Sequence, residues 1–564
     1  MKTKDEMSDL DVRKIARIKD KATSKYLEVI EFAVSNTERT CIELPPSVVN
    51  SPVSFGNELL DAGAILPKDD NVLKDLLTKV AKSDALEQRV YETQVGWTQN
   101  GRAYVTIDGV IGCVAEKIVG VNRSNKVDDA SGRLSISGTC QAWRESVATL
   151  ARNSSSMMFT ICVAMAAPLL YAQKRRSFTI CMFGKTRTGK TMATLMGASV
   201  IGIGQIEQMI TWRLKDARLE QRLAEYNDAM FPIDDLETIV EKGDKAKYLR
   251  IRNVAYNLEQ GWSTGRHDSF TMAHGGTHEQ WRCIAVTSCE KAVVDLARSV
   301  KLNRQPGETL RLIDVPVLFD GLDHIFDRLP CELDTSDFPK WKEHKFAEVA
   351  DACEQNHGAA FQVYIQKLIA HGPTVKEYIK KGEKYFIEKV CDDKDGDVAR
   401  DVAKKFGLIF VGGMLGIRYG LLPWGKAELL DAISKCYRGA RNLLPDDGVA
   451  LRQGIQLLRA KIQVLPVLSA SKEKTSSVGS ADGYRAPNMD GADRWLIKRE
   501  VFNSLFATTY QRDLVLNWLI QQKRITTAVR NGEEAAAKLT PKGQFLWADG
   551  ERRRSYEILR KRAS

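Results

Sequence analysis

Eight consecutive residues, Gly184-Lys185-Thr186-Arg187-Thr188-Gly189-Lys190-Thr191, have types and spacing suited to one chemical task. In a Gly-x-x-x-x-Gly-Lys-Thr loop the glycines let backbone N–H groups turn inward around phosphates. The helix that follows points its positive dipole end at them. Lys190 then reaches the β- and γ-phosphates of ATP, and the Thr191 hydroxyl coordinates Mg²⁺. Such a loop needs an acid at the tip of a neighbouring apolar strand. Asp234-Asp235, directly after Ala229-Met230-Phe231-Pro232-Ile233, supplies it. Asp234 is assigned to the metal and Asp235 to the attacking water. Asp235 is one methylene shorter than glutamate, which leaves Glu237 as a helper. A further apolar run, Trp281 to Val286, ends in Thr287-Ser288. Either hydroxyl could orient the water and sense the γ-phosphate, and the spacing does not choose between them.

These residues need a scaffold of strand, loop and helix. Ser177–Phe183 is β-prone and runs straight into the glycine loop, and residues 191–201 read as a helix. Residues 229–233 and 281–286 read as two more buried strands. Upstream, the spacing of Leu10, Ile15, Ile18, Tyr26, Ile30 and Phe32 predicts a helix over 11–35. Short strands and helices follow over 40–110, then helices at 139–151 and 155–171. The apolar stretch Met157–Tyr171 is shorter than the roughly 18–20 residues of a membrane span, so it reads as a buried helix. Residues 340–462 are mainly helical in pattern, and 466–492 are Ser-, Gly-, Pro- and Lys-rich, as in a linker.

The chain has 564 residues and 11 scattered cysteines without a Cys-x-x-Cys pair. That fits reduced thiols rather than a disulfide framework. No apolar run follows Met1-Lys2-Thr3-Lys4, so the expectation is a cytoplasmic protein with no signal peptide and no membrane partner. Lys and Arg number 83 against 72 acidic residues, for a net charge of +11. This permits a polyanion as partner without requiring one.

Beyond the glycine loop, the chain resembles the domain-of-unknown-function 927 family over about residues 90–535. The resemblance is carried by Gly96-Trp97, the Trp143 helix, Ala166-Ala167-Pro168-Leu169-Leu170, Thr211-Trp212-Arg213, Leu219-Glu220, Tyr226-Asn227-Asp228 and Trp281-Arg282. It continues through Gly307-Glu308-Thr309-Leu310-Arg311-Leu312-Ile313-Asp314-Val315-Pro316, His357-Gly358-Ala359-Ala360-Phe361 and Gly416-Ile417 to Trp424. The resemblance implies an α/β fold with an AAA+-type P-loop ATPase core, close to superfamily-three and MCM-like helicases. It also implies assembly as a homo-oligomer, typically a hexameric ring, with ATP between subunits and an arginine inserted from the neighbour. Arg311 occupies the position where such a finger often lies, with Arg298 and Arg304 as competitors. The sequence departs from the family at Asp235, where Glu is usual, and at Lys215, where Thr is common after the Trp-Arg pair. No primase-like or zinc-binding N-terminal unit is evident, so priming would need a primase or other replication protein as partner.

Nucleic acid contacts are expected in two places. The stretch 261–278 suggests a hairpin with glycines at its tip. There Arg266, His267, His274 and His278 could grip a phosphate backbone, with single-stranded DNA as the expected ligand. The glycines between His274 and His278 argue against a helical metal site. A helical piece around 494–502, a helix near 510–522 and strand-like pieces around Asn531-Gly532 suggest a winged helix, in which Lys523, Arg524 and Arg530 supply charge. The resulting domain plan has six parts: an α+β region at 1–135, the ATPase core at 136–335, a helical region at 336–465, a linker at 466–492, a winged-helix-like unit at 493–550 and a basic tail at 551–564. The leading expectation is an ATP-dependent DNA helicase or translocase serving a mobile genetic element. The alternative is an ATPase switch or scaffold acting on protein partners.

Overall fold

The computed structural model describes residues 12–35, 37–112, 116–122, 134–240, 242–263, 280–302, 304–329, 337–392, 395–444, 447–467, 482–487, 493–506, 509–525, 544–546 and 552–559. The chain divides into two compact units. One comprises Met1–Val293, Arg311–Cys391 and Val402–Ala440; the other comprises Val294–Leu310, Asp392–Asp401 and Arg441–Ser564. The boundaries expected at 135 and 335 both fall inside the first unit.

The first unit opens with a mixed sheet. Strands β1 (Val12–Asp20), β2 (Tyr26–Ala33), β3 (Arg39–Leu44), β4 (Glu87–Glu92) and β8 (Ile118–Val121) lie in the order β3-β2-β1-β4-β8. Helices α1 (Pro46–Val49), α2 (Pro52–Asp61) and α3 (Asp70–Lys82) connect β3 to β4. Phe55, Leu59, Leu77 and Val80 from these helices share a core with Val12, Ile30 and Phe32. The helix expected over 11–35 is therefore corrected to two antiparallel strands. Along β1, Val12, Lys14, Ala16, Ile18 and Asp20 are buried while Arg13, Arg17 and Lys19 face out. That is the period of two that defines a strand; the positive charges interrupt the apolar residues in a way that also matches a helical period. Strands β5 (Gly96–Trp97), β6 (Ala103–Thr106) and β7 (Gly109–Gly112) form a separate antiparallel sheet.

Next come α4 (Cys140–Trp143), α5 (Ser155–Ala166) and α6 (Leu169–Gln173). The helix expected over 139–151 passes from α4 into a π-helical turn at Arg144–Ala148 and a 3₁₀ turn at Ala151–Asn153. All 12 residues of α5 are buried, and no helix among the described residues is long and apolar enough to cross a membrane. Helix α5 is enclosed because its neighbours approach on small residues. A Cβ added at Gly197 would lie 2.7 Å from the Thr160 carbonyl oxygen, and one at Gly412 would lie 2.7 Å from the Ala166 nitrogen. Phe159 of α5 also stacks on Phe406 of the helix Asp397–Arg418 at 5.4 Å. Gly412→Ala is accordingly expected to destabilise this unit by about 1–3 kcal/mol through overpacking, read from the urea midpoint by tryptophan fluorescence.

The central sheet contains β9 (Phe178–Phe183), β10 (Ile210–Thr211), β11 (Met230–Asp234), β12 (Ile284–Cys289) and β13 (Leu312–Pro316), all parallel, in the order β10-β11-β12-β9-β13. Helices α7 (Lys190–Val200), α8 (Asp216–Glu225) and α9 (Asp244–Gln260) are its first crossovers. Numbered along the chain, its strands lie in the order 5-1-4-3-2. The strand feeding the glycine loop is therefore flanked by the third-in-space β12 and by β13.

Several residues that carry the family resemblance converge beside this sheet. Asp228, 0% exposed and at φ 59°, accepts from Arg282 Nε at 2.6 Å and from the Trp97 N–H at 3.0 Å. Asn227 donates to the Val95 carbonyl, and its own carbonyl accepts from Tyr104. Gly96, at φ 104°, has no room for a Cβ, which would meet Asn227 Nδ2 at 2.6 Å. These bonds tie β5 and β6 to the start of β11 and to the segment entering β12.

In the second unit, β14 (Gly483–Pro487), β15 (Asp493–Lys498), β16 (Gln544–Leu546) and β17 (Arg552–Leu559) form an antiparallel sheet in the order β14-β15-β17-β16. Helices at Asp447–Gln463, Arg499–Ser504 and Thr509–Gln521 accompany it. Its core gathers Leu458, Ile497, Phe502, Val515, Leu519, Tyr556 and Ile558. Two expectations are corrected. Residues 494–497 are strand, with Leu496 and Ile497 buried, and the basic tail expected from 551 is a strand across Arg552–Leu559, where Tyr556 and Ile558 are buried two apart. Three arginines in succession conceal that alternation. The turn at Asn531-Gly532, residues 560–564 of the tail, and 468–481 and 488–492 of the linker lie outside the described residues.

Candidate functional site

The glycine loop leaves β9 at its C-terminal tip and enters α7 through Gly189, whose φ is 106°. Two constraints fix glycine there: the positive φ, and Ile325 Cγ2, which would lie 2.8 Å from an added Cβ. Arg187 also takes a positive φ, of 62°. The loop is braced from the segment after β13, where the Ile325 N–H donates to the Thr188 carbonyl at 3.1 Å. Lys190 Nζ curls back to donate to the carbonyls of Gly184 (2.7 Å) and Lys185 (2.9 Å).

The tips of β11 and β12 complete the site. Asp234 Oδ1 accepts from the Thr191 hydroxyl at 3.4 Å and from the Ser288 hydroxyl at 3.0 Å. Burial pushes the Asp234 carboxyl up from its ordinary range, Ser288 pulls it back, and neighbouring Asp235 adds to the rise. A divalent cation is suited to relieve a partly buried carboxylate beside a threonine hydroxyl, so Thr191 and Asp234 fit the metal role. The described residues contain no larger cluster of metal-ligating side chains.

The structure separates the two hydroxyls that spacing left equivalent. Ser288 faces Asp234 and also accepts from the Asp235 N–H at 3.1 Å. Thr287, fully buried, accepts from the Trp212 indole N–H at 2.8 Å. Adjacent residues of a strand point to opposite faces, so only one of them can reach the loop side. Thr287→Val leaves the indole donor unpaired and is expected to cost about 1–3 kcal/mol of stability, measurable by urea denaturation; Ser288→Ala is expected to cost less.

Asp235 has a local task. At φ 44°, its side chain accepts from the Glu237 N–H at 3.1 Å, capping the 3₁₀ turn Leu236–Thr238. Glu237 is ion-paired to Lys247. A further carboxylate reaches the loop: Glu290, immediately past the tip of β12, accepts from the Thr186 hydroxyl. Neither Glu290 nor Ile325 was among the sequence candidates. An acid one residue beyond an apolar strand was a usable signal for Glu290, the same signal that marked Asp235 after β11.

Arg311 lies at the entrance to β13, donating to Glu259 at 2.7 Å with its guanidinium 4.6 Å from the Tyr256 ring centre. Arg304 is almost wholly buried in a pair with Glu308, while Arg298 is exposed beside Asp295. Arg524 is turned to the Leu559 carbonyl at 3.2 Å; burial and the nearby Arg459 lower its proton affinity. Lys523 is exposed. Arg266, His267, His274, His278 and Arg530 lie outside the described residues.

Residues 3–270 match the family model described as Domain of unknown function (DUF927). The matched stretch begins before and ends short of the stretch over which the motifs resemble that family. The match includes the glycine loop and Asp234-Asp235 and stops before β12. A solved structure titled "SCCmec type IV Cch - active helicase" is similar to this chain at a TM-score of 0.60 and 15% identity, over 97% of this chain and 93% of that one. At that identity the likeness establishes a shared fold of mixed helices and sheets. No curated protein matches the chain.

Proposed function

We propose that this chain is a Mg²⁺-dependent ATPase of the AAA+ type that moves along or unwinds DNA, working as a ring in the replication or maintenance of a mobile element. One observation carries the reading: a parallel 5-1-4-3-2 sheet presents the glycine loop on one strand and Asp234 and Ser288 on the next two. The titled activity of the structurally similar helicase supports it. The backbone of Gly184–Gly189 would cradle the phosphates while Lys190 exchanges its loop carbonyls for phosphate oxygens. Thr191 and Asp234 would hold Mg²⁺, which when bound neutralises phosphate charge. Ser288 holds Asp234 in place, and Ser288→Ala is expected to lower turnover by about tenfold through that bond.

A neighbour's arginine would complete the site in trans. Arg311 would have to exchange Glu259 and Tyr256 for that role, Arg298 is the exposed competitor, and the buried Arg304 is not suited to it. The small antiparallel unit with Lys523 at its surface is suited to an auxiliary winged-helix-like DNA contact. The direct test is displacement of a labelled strand from a forked duplex. ATP-dependent displacement supports the reading, and turnover without displacement or translocation counts against it.

One observation favours the second reading, an ATP-binding switch or scaffold on protein partners. The Asp235 carboxylate accepts from the Glu237 N–H as the cap of its own turn. That reading predicts nucleotide-dependent assembly with negligible turnover.

A further inference from the structure

We propose that Glu290, rather than Asp235, is the carboxylate that holds and deprotonates the attacking water. The proposal rests on the ATPase reading and deepens it. Strand β12 lies between β9 and β11 in the sheet. A residue just beyond its tip therefore lies between the glycine loop at the end of β9 and Asp234 at the end of β11. That gap is where a γ-phosphate held by Lys190 and a metal held by Thr191 and Asp234 must meet the water. Glu290 occupies this position and is exposed, and its carboxylate already touches the loop through the Thr186 hydroxyl. The two other nearby acids have partners outside the glycine loop: Asp235 accepts from the Glu237 N–H, and Glu237 pairs with Lys247. Both bonds lie within the segment after β11 and its crossover helix α9.

In the step assigned to it, Glu290 accepts one proton from water as the oxygen attacks the γ-phosphorus. The bond between that phosphorus and the β–γ bridging oxygen breaks, and its electron pair leaves with ADP. The proton held by Glu290 then passes to the phosphate product, which restores the carboxylate. A general base contributes about 10²–10⁴-fold.

The experiment compares wild type, Glu290→Gln, Glu290→Asp and Asp235→Asn in the full-length chain. It reads steady-state kcat and KM for ATP, together with the affinity for a fluorescent non-hydrolysable ATP analogue. Glutamine keeps a polar contact to Thr186 but cannot take the proton. The expected result is a fall in kcat of about 100-fold or more for Glu290→Gln, with analogue affinity within about threefold of wild type. Partial recovery is expected in Glu290→Asp, and a loss of less than about tenfold in Asp235→Asn. Two outcomes overturn the proposal alone. One is a Glu290→Gln kcat near wild type with Asp235→Asn inactive. The other is tighter analogue binding with kcat preserved, which would make Glu290 a latch on the empty loop. Absence of turnover in wild type overturns the ATPase reading itself, and this assignment with it.

Discussion

Lys190→Ala is expected to lower ATP turnover by about 10²–10³-fold or more and to leave the fold intact. The size follows from its place. Lys190 is the first residue of α7, and its ammonium is the charge that can move from two loop carbonyls to the terminal phosphates. A preorganised charge directed at developing phosphoryl charge is among the largest single contributions to such reactions. The fold is expected to tolerate the change because Lys185 is exposed, so water replaces the ammonium at its carbonyl, and the bond lost at the buried Gly184 is a single one. Phosphate release measures the first effect, and far-UV circular dichroism with a thermal melt measures the second. A variant that turns over at near the wild-type rate would remove the glycine loop from the chemistry.

The second large effect is on stability. Arg282→Ala leaves the buried Asp228 carboxylate with the Trp97 N–H as its remaining partner among the bonds described here. Removing one member of a buried ion pair typically costs about 3–5 kcal/mol. The pair joins the segments entering β11 and β12, and Arg282 lies 4.9 Å from the Tyr171 ring centre, so packing is lost along with charge. The pH dependence has a definite sign. Burial raises the proton affinity of Asp228 in the folded state, and Arg282 and Trp97 oppose the rise. A carboxylate with a raised folded pKa is a larger burden on stability as pH climbs from the ordinary carboxylate range through the folded value. Without Arg282 the rise widens, so the variant should be closest to wild type near pH 4 and fall furthest behind at neutral pH and above. Urea midpoints at several pH values measure this. Adding Asp228→Asn, which removes the stranded charge, should recover part of the loss at high pH.

What could be read from the sequence follows from how local each signal is. The glycine loop is contiguous and its residue types are set by backbone geometry, so it was legible together with the strand before it and the helix after it. Asp234 was legible because an apolar run of five residues ends on it. Ser288 was not separable from Thr287, because which face of β12 meets Asp234 depends on the neighbouring strands. Glu290 was missed through a boundary shift. The apolar run read as a strand over 281–286 is a strand over Ile284–Cys289. Trp281 is drawn out of the ladder, with its indole N–H donating to the Leu258 carbonyl of α9. Moving the strand three residues onward puts Glu290, rather than Thr287-Ser288, just past its tip. The β1–β2 hairpin was misread for a different reason: buried Lys14 and Asp20 break the apolar alternation, and only the fold shows that Lys14 reaches the Ala81 carbonyl at 2.9 Å. The convergence of Gly96-Trp97, Asn227-Asp228 and Arg282 is separated by up to 186 positions in the chain, and no local pattern announces it.

The steady-state ATPase rate of the wild-type chain with Mg²⁺, with and without single-stranded DNA, separates a DNA motor from the alternatives in one experiment. Mg²⁺-dependent turnover that rises several-fold with DNA is expected. Turnover indifferent to DNA would contradict the motor reading while leaving an ATPase, and absence of turnover under both conditions would contradict the ATPase itself.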